Sequence, residues 1–233
     1  MQKIFNHTPV DLGYESLLCE NQSSGRTYVT PQGNRYPSIT SVLGILSKDS
    51  IREWRQRVGD VEANRVSRVA AGRGTSVHSL VEDYLDNKLT EADLDGGLKA
   101  MPHAVAAFGS IKPILDERLD DICIQEAPLY SDHLRVAGRC DIVAKFDGVL
   151  SVVDIKTSSR VKTADDIHSY FIQESAYAIM FEERTGIPIT NIVTVMAVDF
   201  APPIVFKEHR DNWTKLLLET IAEHRRQKLF GLS

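Results

Sequence analysis

The segment from Val136 to Ser159, VAGRCDIVAKFDGVLSVVDIKTSS, constrains the fold more than any other part of the chain. Asp147-Gly148 lies between two β-rich runs and so predicts a two-residue type I′ hairpin. A turn of that length fixes the register. If Phe146 pairs with Val149, then Val143 faces Val152, Ile142 faces Val153, and Asp141 lies opposite Asp154 on the neighbouring strand. Facing residues have their Cβ atoms about 4.5–5.5 Å apart, close enough for like charges to destabilise the pair. A positive group has to offset that repulsion. Side chains alternate along a strand, so Lys156 shares a face with Asp154.

A divalent cation relieves two opposed carboxylates better than one ammonium does, because hard cations such as Mg²⁺ take oxygen ligands and gain from both charges. Lys156 is then free to act on a water beside the metal. In such an arrangement the metal polarises a phosphoryl oxygen and acidifies bound water, while the lysine positions that water or stabilises developing negative charge. An isolated D-x-K triplet would read as a solvated hairpin. The second aspartate, placed by the turn, turns the reading toward hydrolysis.

The remaining chain narrows the class. With 233 residues, 42% hydrophobic and 25% charged, it is long enough to bury a core and too ordinary for disorder or a disulfide scaffold. Cys19, Cys123 and Cys140 are widely spaced, with no CxxC pair to suggest structural zinc. The longest uncharged stretch, 185–198, is too short to span a membrane, so no membrane association is expected. The N-terminal residues carry Asp11 and Glu15 and no uninterrupted apolar run, so the expected location is the cytoplasm of a bacterial or phage-infected cell. A net charge of −5 argues against polyanion binding by the whole surface. A local basic path remains open, since seven basic residues face four acidic ones between Lys48 and Arg73.

Residues 14–36 read as short strands broken at Ser24-Gly25 and Gln32-Gly33-Asn34, and Pro37-Ser38-Ile39-Thr40 as a helix start. A long helix is expected from Asp49 to Ala70, its exposed face carrying arginines. Gly72 and Gly74 are expected to punctuate the chain before a helix with Val77, Leu80, Val81, Tyr84 and Leu85 at helical spacing. Their backbone N–H groups, at the start of that helix, would suit a phosphate. A further helix is expected from about Gly97 to Arg118, then strands at 121–130, 134–146 and 149–156. Next come a helix near 164–184 ending at Gly186, strands at 190–198 and 202–207, and a helix near 210–229. This order predicts an α/β domain with a central mixed sheet flanked by helices. Residues 1–70 read as an N-terminal β/helical extension packed on a core at 71–233, the whole forming one compact unit.

His78, the GxxD run Gly138–Asp141, Asp154-Ile155-Lys156, and Gln173 with Tyr177 occur in the order found in PD-(D/E)xK nucleases of the RecB-like branch, which this chain resembles. PSITSVL, IREWRQRV and GRGTSVH are similar to segments of mitochondrial genome maintenance exonuclease and related phage exonucleases. The resemblance covers about residues 36–230 and implies a restriction-endonuclease-like core. It implies that His78, Asp141, Asp154 and the backbone carbonyl of Ile155 hold Mg²⁺ or Mn²⁺, that Lys156 orients the attacking water, and that Glu126 is the family's first-strand glutamate. Gln173 and Tyr177 would contact the strand near the scissile phosphate. Thr157 and Ser158 would hydrogen-bond its oxygens, and Arg52, Arg55, Trp54 and Arg73 would line a path for single-stranded DNA. On its own, His78 reads as a core histidine on the face of Val81 and Leu85, or as a partner of Glu82. No cysteine follows Lys156, so no iron–sulfur cluster is expected. Without a GxxxxGK[ST] loop no nucleotide cofactor is expected either, and unwinding would fall to a helicase or recombination partner. The resulting expectation is a metal-dependent DNA exonuclease of replication, recombination or repair that prefers single strands or free ends. A structure-specific endonuclease and a catalytically silent nucleic-acid-binding module are the alternatives.

Overall fold

The structure is a computed structural model that describes residues 3–22 and 25–231. Three short strands, β1 (Leu18–Gln22), β2 (Gly25–Val29) and β3 (Arg35–Pro37), form an antiparallel meander. The reversal at Gln32-Gly33-Asn34 is closed by Thr30 and Asn34, with Gly33 at φ 84°. Of the break expected at Ser24-Gly25, Ser24 lies outside the described residues, while Gly25 opens β2 at φ 115°. The Ser38 side chain accepts the Ser41 N–H and so starts α1 (Ile39–Leu43), which buries Ile39 and Val42.

The helix expected over 49–70 is two helices. The first, α2 (Lys48–Val58), stops at Gly59, whose φ of 83° is cheap only for glycine. The second, α3 (Asp60–Leu85), then runs unbroken for 26 residues, across position 70 and through Gly72 and Gly74. Burial of Val77, Leu80, Val81, Tyr84 and Leu85 holds its C-terminal half and outweighs the roughly 1 kcal/mol that each interior glycine costs. No helix N-terminus therefore lies at these glycines to receive a phosphate. The helix expected from Gly97 also starts later. A wide turn at Asp93–Gly97 is kinked at Asp95 and Gly96, and α4 (Pro102–Arg118) begins with a proline whose missing N–H is no loss in a first turn.

Strands β4 (Leu119–Ser131), β5 (Val136–Phe146) and β6 (Val149–Ser158) follow as expected. A single 3-10 turn at Ala164–Ile167, held by reciprocal bonds between Thr163 and Asp166, leads into α5 (His168–Thr185), which ends on left-handed Gly186. Two more strands, β7 (Asn191–Val198) and β8 (Ile204–His209), precede α6 (Asp211–Leu229). The sheet order is β4-β5-β6-β7-β8, parallel only between β6 and β7, where α5 makes the crossover. Asp147 and Gly148 both have positive φ, as a type I′ turn requires, and Phe146 pairs with Val149, Val143 with Val152 and Ile142 with Val153.

Alternate strand residues feed two apolar layers. Val143 and Val152 pack with α1, α5 and α6 through Ile39, Phe171, Met180 and Leu217. Ile142, Val153 and Ile155 pack with α3 and α4 through Val81, Tyr84, Phe108 and Ile111. The molecule is thus the α/β architecture expected, a five-stranded mixed sheet between helices. Among the described residues no helix is long and apolar enough to cross a membrane.

A Cβ built on Gly72 or Gly74 meets no atom within 4 Å. Gly72→Ala and Gly74→Ala should therefore each raise stability by about 0.8–1 kcal/mol, and Gly59→Ala should lower it, in denaturant-unfolding midpoints. A loss of stability in either α3 variant would mean that the bare backbone is packed against something.

Candidate active site

The register of the sheet brings three carboxylates into one row. Gln125 pairs with Ile142 and Ala127 with Cys140, so Glu126 on β4 lies between those pairs, level with Asp141 on β5. Glu126 and Asp141 do not themselves form a ladder pair, and Glu126 has a left-handed φ of 45°. On the other side, the β5–β6 ladder ends at Ile142 with Val153, one residue short of the strand pair expected between Asp141 and Asp154. The Asp141 carboxylate takes the place of a strand carbonyl there. Its Oδ2 accepts the Ile155 N–H at 2.9 Å, which draws it along β6 and off Asp154. On its other edge, Asp154 pairs with Thr194 of β7.

His78 reaches this row from α3. Its Nε2 donates to the Ile155 carbonyl at 2.8 Å, and its Nδ1 lies 3.5 Å from both Glu126 Oε1 and Asp141 Oδ2. Burial disfavours a charged imidazole, but the hydrogen bond to Glu126 and the charges of Asp141 and Asp154 outweigh it and push its pKa up to about 9. For Asp141, burial comes first and repulsion by Asp154 second. Together they push its carboxyl up to about 7 against the pull of His78, Lys156 and the Ile155 N–H. Burial would neutralise Lys156, yet Asp154 and Asp141 raise its pKa above the ordinary lysine value, so it stays an ammonium. It forms an ion pair with Asp154 and sits 5.1 Å over the Tyr170 ring.

This donor set fits a divalent cation. One ligand atom each from His78, Glu126 and Asp141 lies within 4.8 Å of the others, a mixed oxygen and nitrogen set with excess negative charge. Asp154, 1% exposed, adds a buried carboxylate whose Oδ2 touches the Lys156 ammonium but has no hydrogen bond of acceptable geometry. The Ile155 carbonyl, a ligand by resemblance, is here the acceptor for His78.

On α5, Gln173 lies 3.4 Å from Asp154 Oδ1 and 3.4 Å from the Tyr177 hydroxyl. Tyr177 is buried against Gly138, where a Cβ would come within 2.7 Å of its ring and 3.1 Å of Ile39. That close approach is a physical reason for the glycine of the GxxD run. Thr157 is half-buried, pairing with Ala197 in the sheet, and the Ser158 hydroxyl is turned onto the backbone of Arg160. Arg73 is ion-paired with Asp199, Arg52 with Asp49, and Arg55 with Asp60, Arg55 also donating to the Asn64 side-chain oxygen, while Trp54 is half-buried on α2.

One carboxyl near the site escaped the sequence reading. Glu174 is fully buried, takes a hydrogen bond from Thr194 through Oε1, and leaves Oε2 without a partner. Burial and the charge of Asp154 push its pKa well above the ordinary glutamate value. Its only signal in the sequence is an acid within the apolar run Phe171–Phe181.

Among comparisons with known proteins, the family model described as the PD-(D/E)XK nuclease superfamily matches residues 49–225. No curated protein matches the chain in sequence. One solved structure that it resembles is that of a provisionally described exonuclease from Eubacterium rectale, 17% identical, at a TM-score of 0.45 covering 69% of each chain.

Without metal, Asp141 lowers stability. Its carboxyl lies near 7 in the folded protein against an ordinary 3.8, so the folded state holds the extra proton and stability falls as pH rises through that window. Asp141→Asn keeps the acceptor for Ile155 and removes the charge. It should unfold at a higher temperature than the wild type at about pH 8 in EDTA and gain less from Mn²⁺. An equal or lower melting temperature in EDTA would remove the repulsion argument.

Proposed function

The chain belongs to the PD-(D/E)XK nuclease superfamily, and on that premise we propose that it is a Mg²⁺- or Mn²⁺-dependent DNA exonuclease acting on single strands or free ends. The observation that carries this reading is the row of Glu126, Asp141 and Asp154 beside His78 and a charged Lys156. His78, Glu126 and Asp141 would hold the cation, with Asp154 beside them. When bound, it supplies Lewis-acid polarisation of a phosphoryl oxygen and an acidified water.

The chain's own groups do the rest. Lys156, kept cationic by Asp154 and Asp141, points a donor at the attacking water and stabilises negative charge on the phosphoryl oxygens. Asp154 fixes the ammonium, and Gln173, itself bonded to buried Tyr177, fixes Asp154. The Tyr170 ring limits where the ammonium swings.

The order of His78, Gly138–Asp141, Asp154–Lys156 and Gln173 with Tyr177 supports the RecB-like branch, similar to mitochondrial genome maintenance exonuclease and related phage exonucleases. The preference for single strands or ends follows from that resemblance. So do a role in replication, recombination or repair, a cytoplasmic setting, and a helicase or recombination partner for unwinding.

End-labelled linear single-stranded DNA and its circular form should be incubated with Mg²⁺, Mn²⁺ or EDTA. Metal-dependent loss of the linear form alone is expected. Cutting of the circle would favour an endonuclease, and cutting of neither a silent binding module. Asp154→Ala and Lys156→Ala should each lower the rate at least about 100-fold while leaving the fold intact by circular dichroism. Full activity in either would remove the site.

A further inference from the structure

A cationic cleft of about 720 Å³ lies outside the carboxylate row, between β3, the β4–β5 turn and the C-terminal half of α6. Buried Val42 and Ile221 lie in its floor, and Tyr36, Arg35, Arg135 and Lys228 are among its walls. On α6, Ile221, His224, Arg225 and Lys228 follow i, i+3, i+4, i+7 spacing, so one helix face turns them all into the cleft. Arg226, off that face, is paired with Glu223 in the usual manner of a surface helix.

The charges inside the cleft are largely uncompensated. Arg225 donates to the neutral carbonyl of Leu134, and among the described residues neither Arg135 nor Lys228 has a carboxylate within ion-pair distance. Arg35 is neutralised by Glu20, and Asp132, the one acid among the described residues lining the cleft, is occupied by Tyr36 and Arg184. Arg135 holds its place at a left-handed φ of 50°, where glycine or asparagine would cost less. Like charges converging on a half-enclosed cleft repel one another, and a bound polyanion relieves that repulsion.

Its position suggests which polyanion. Val136, in the cleft wall, precedes Asp141 by five residues on β5, roughly 17 Å at about 3.4 Å per residue. A stacked strand rising about 3.4 Å per nucleotide covers that span in about five nucleotides. We propose that this cleft binds the sugar-phosphate backbone of the DNA substrate about five nucleotides from the bond being cut. The proposal rests on the nuclease reading for the identity of the strand.

Fluorescence anisotropy in EDTA, with fluorescein-labelled oligo(dT) of about 4 and about 16 nucleotides, tests it apart from cleavage. Arg135→Glu combined with Lys228→Glu should weaken binding of the longer oligonucleotide about tenfold or more and flatten its log–log salt slope by about 1.4, the loss of two single-strand phosphate contacts. The shorter one, which can occupy the cleft but cannot span from it to the site, should bind the wild-type protein at least about tenfold more weakly than the longer one. Arg135→Gln with Lys228→Gln should give a smaller loss in the same direction, and unchanged circular dichroism confirms folding in both. Equal affinity of the wild-type protein for both lengths, an unchanged longer oligonucleotide in the variant, or its failure to bind the wild-type protein would each overturn the proposal. The linear and circular DNA assay decides the nuclease reading separately, because hydrolysis plays no part in these measurements.

Discussion

The site is organised around the crowding of carboxylates on adjacent strands. Glu126, Asp141 and Asp154 come from three neighbouring strands at the same level of the sheet, and Asp154 is almost fully buried. At the ~5 Å spacing of facing residues, one like-charge pair costs about 3 kcal/mol at an effective dielectric of 20. A fold that tolerates this must bring positive charge to the same place. His78 enters from α3 and Lys156 from the next position on the same face of β6, and each is held charged by the acids it faces. Once His78 gives up its Nδ1 proton to ligate, one ammonium against three carboxylates leaves a net negative centre, which is the electrostatic condition for taking up a divalent ion.

The surrounding structure serves to keep that arrangement rigid. Asp141 replaces a strand carbonyl by accepting from the Ile155 N–H, and the Ile155 carbonyl accepts from His78, so one residue of β6 ties together β5 and α3. From the other face, α5 places Gln173 on Asp154 and seats Tyr177 over Gly138. Glu174 extends this support beneath the site. Its carboxyl, bonded to Thr194 directly across from Asp154, adds a polar neighbour whose burial favours the protonated form.

The strands were easier to read from sequence than the helices, for a physical reason. A two-residue turn with positive φ at Asp147 and Gly148 admits one register, so the β5–β6 pairing follows from the turn alone as far as Ile142 with Val153. It could not show that the ladder stops there, because the Asp141 side chain competes with the backbone for the Ile155 N–H. Glycine is ambiguous inside a helical pattern. Gly59 breaks the chain because its backbone is left-handed, whereas Gly72 and Gly74 are carried through by tertiary burial further along α3. His78 and Glu126 meet only through the packing of α3 on the sheet, so geometry places them together where local pattern could not. Glu174 was hidden because an acid on a helix is normally solvated, and only burial by the sheet marks it out.

The charge distribution also bears on how a chain with a net charge of −5 would handle a polyanion. In the basic run that stands out in the sequence, on α2 and the start of α3, Arg52, Arg55 and Arg65 are neutralised at short range by Asp49, Asp60 and Glu62. Counting basic residues along the chain overstates its field. The cleft's basic residues are dispersed in sequence, Arg135 in a hairpin turn and Arg225 and Lys228 on the last helix, and they converge only after the chain has folded. The decisive quantity for phosphate binding is positive charge left without a carboxylate, since paired charges are already screened by their partners and gain little from a phosphate.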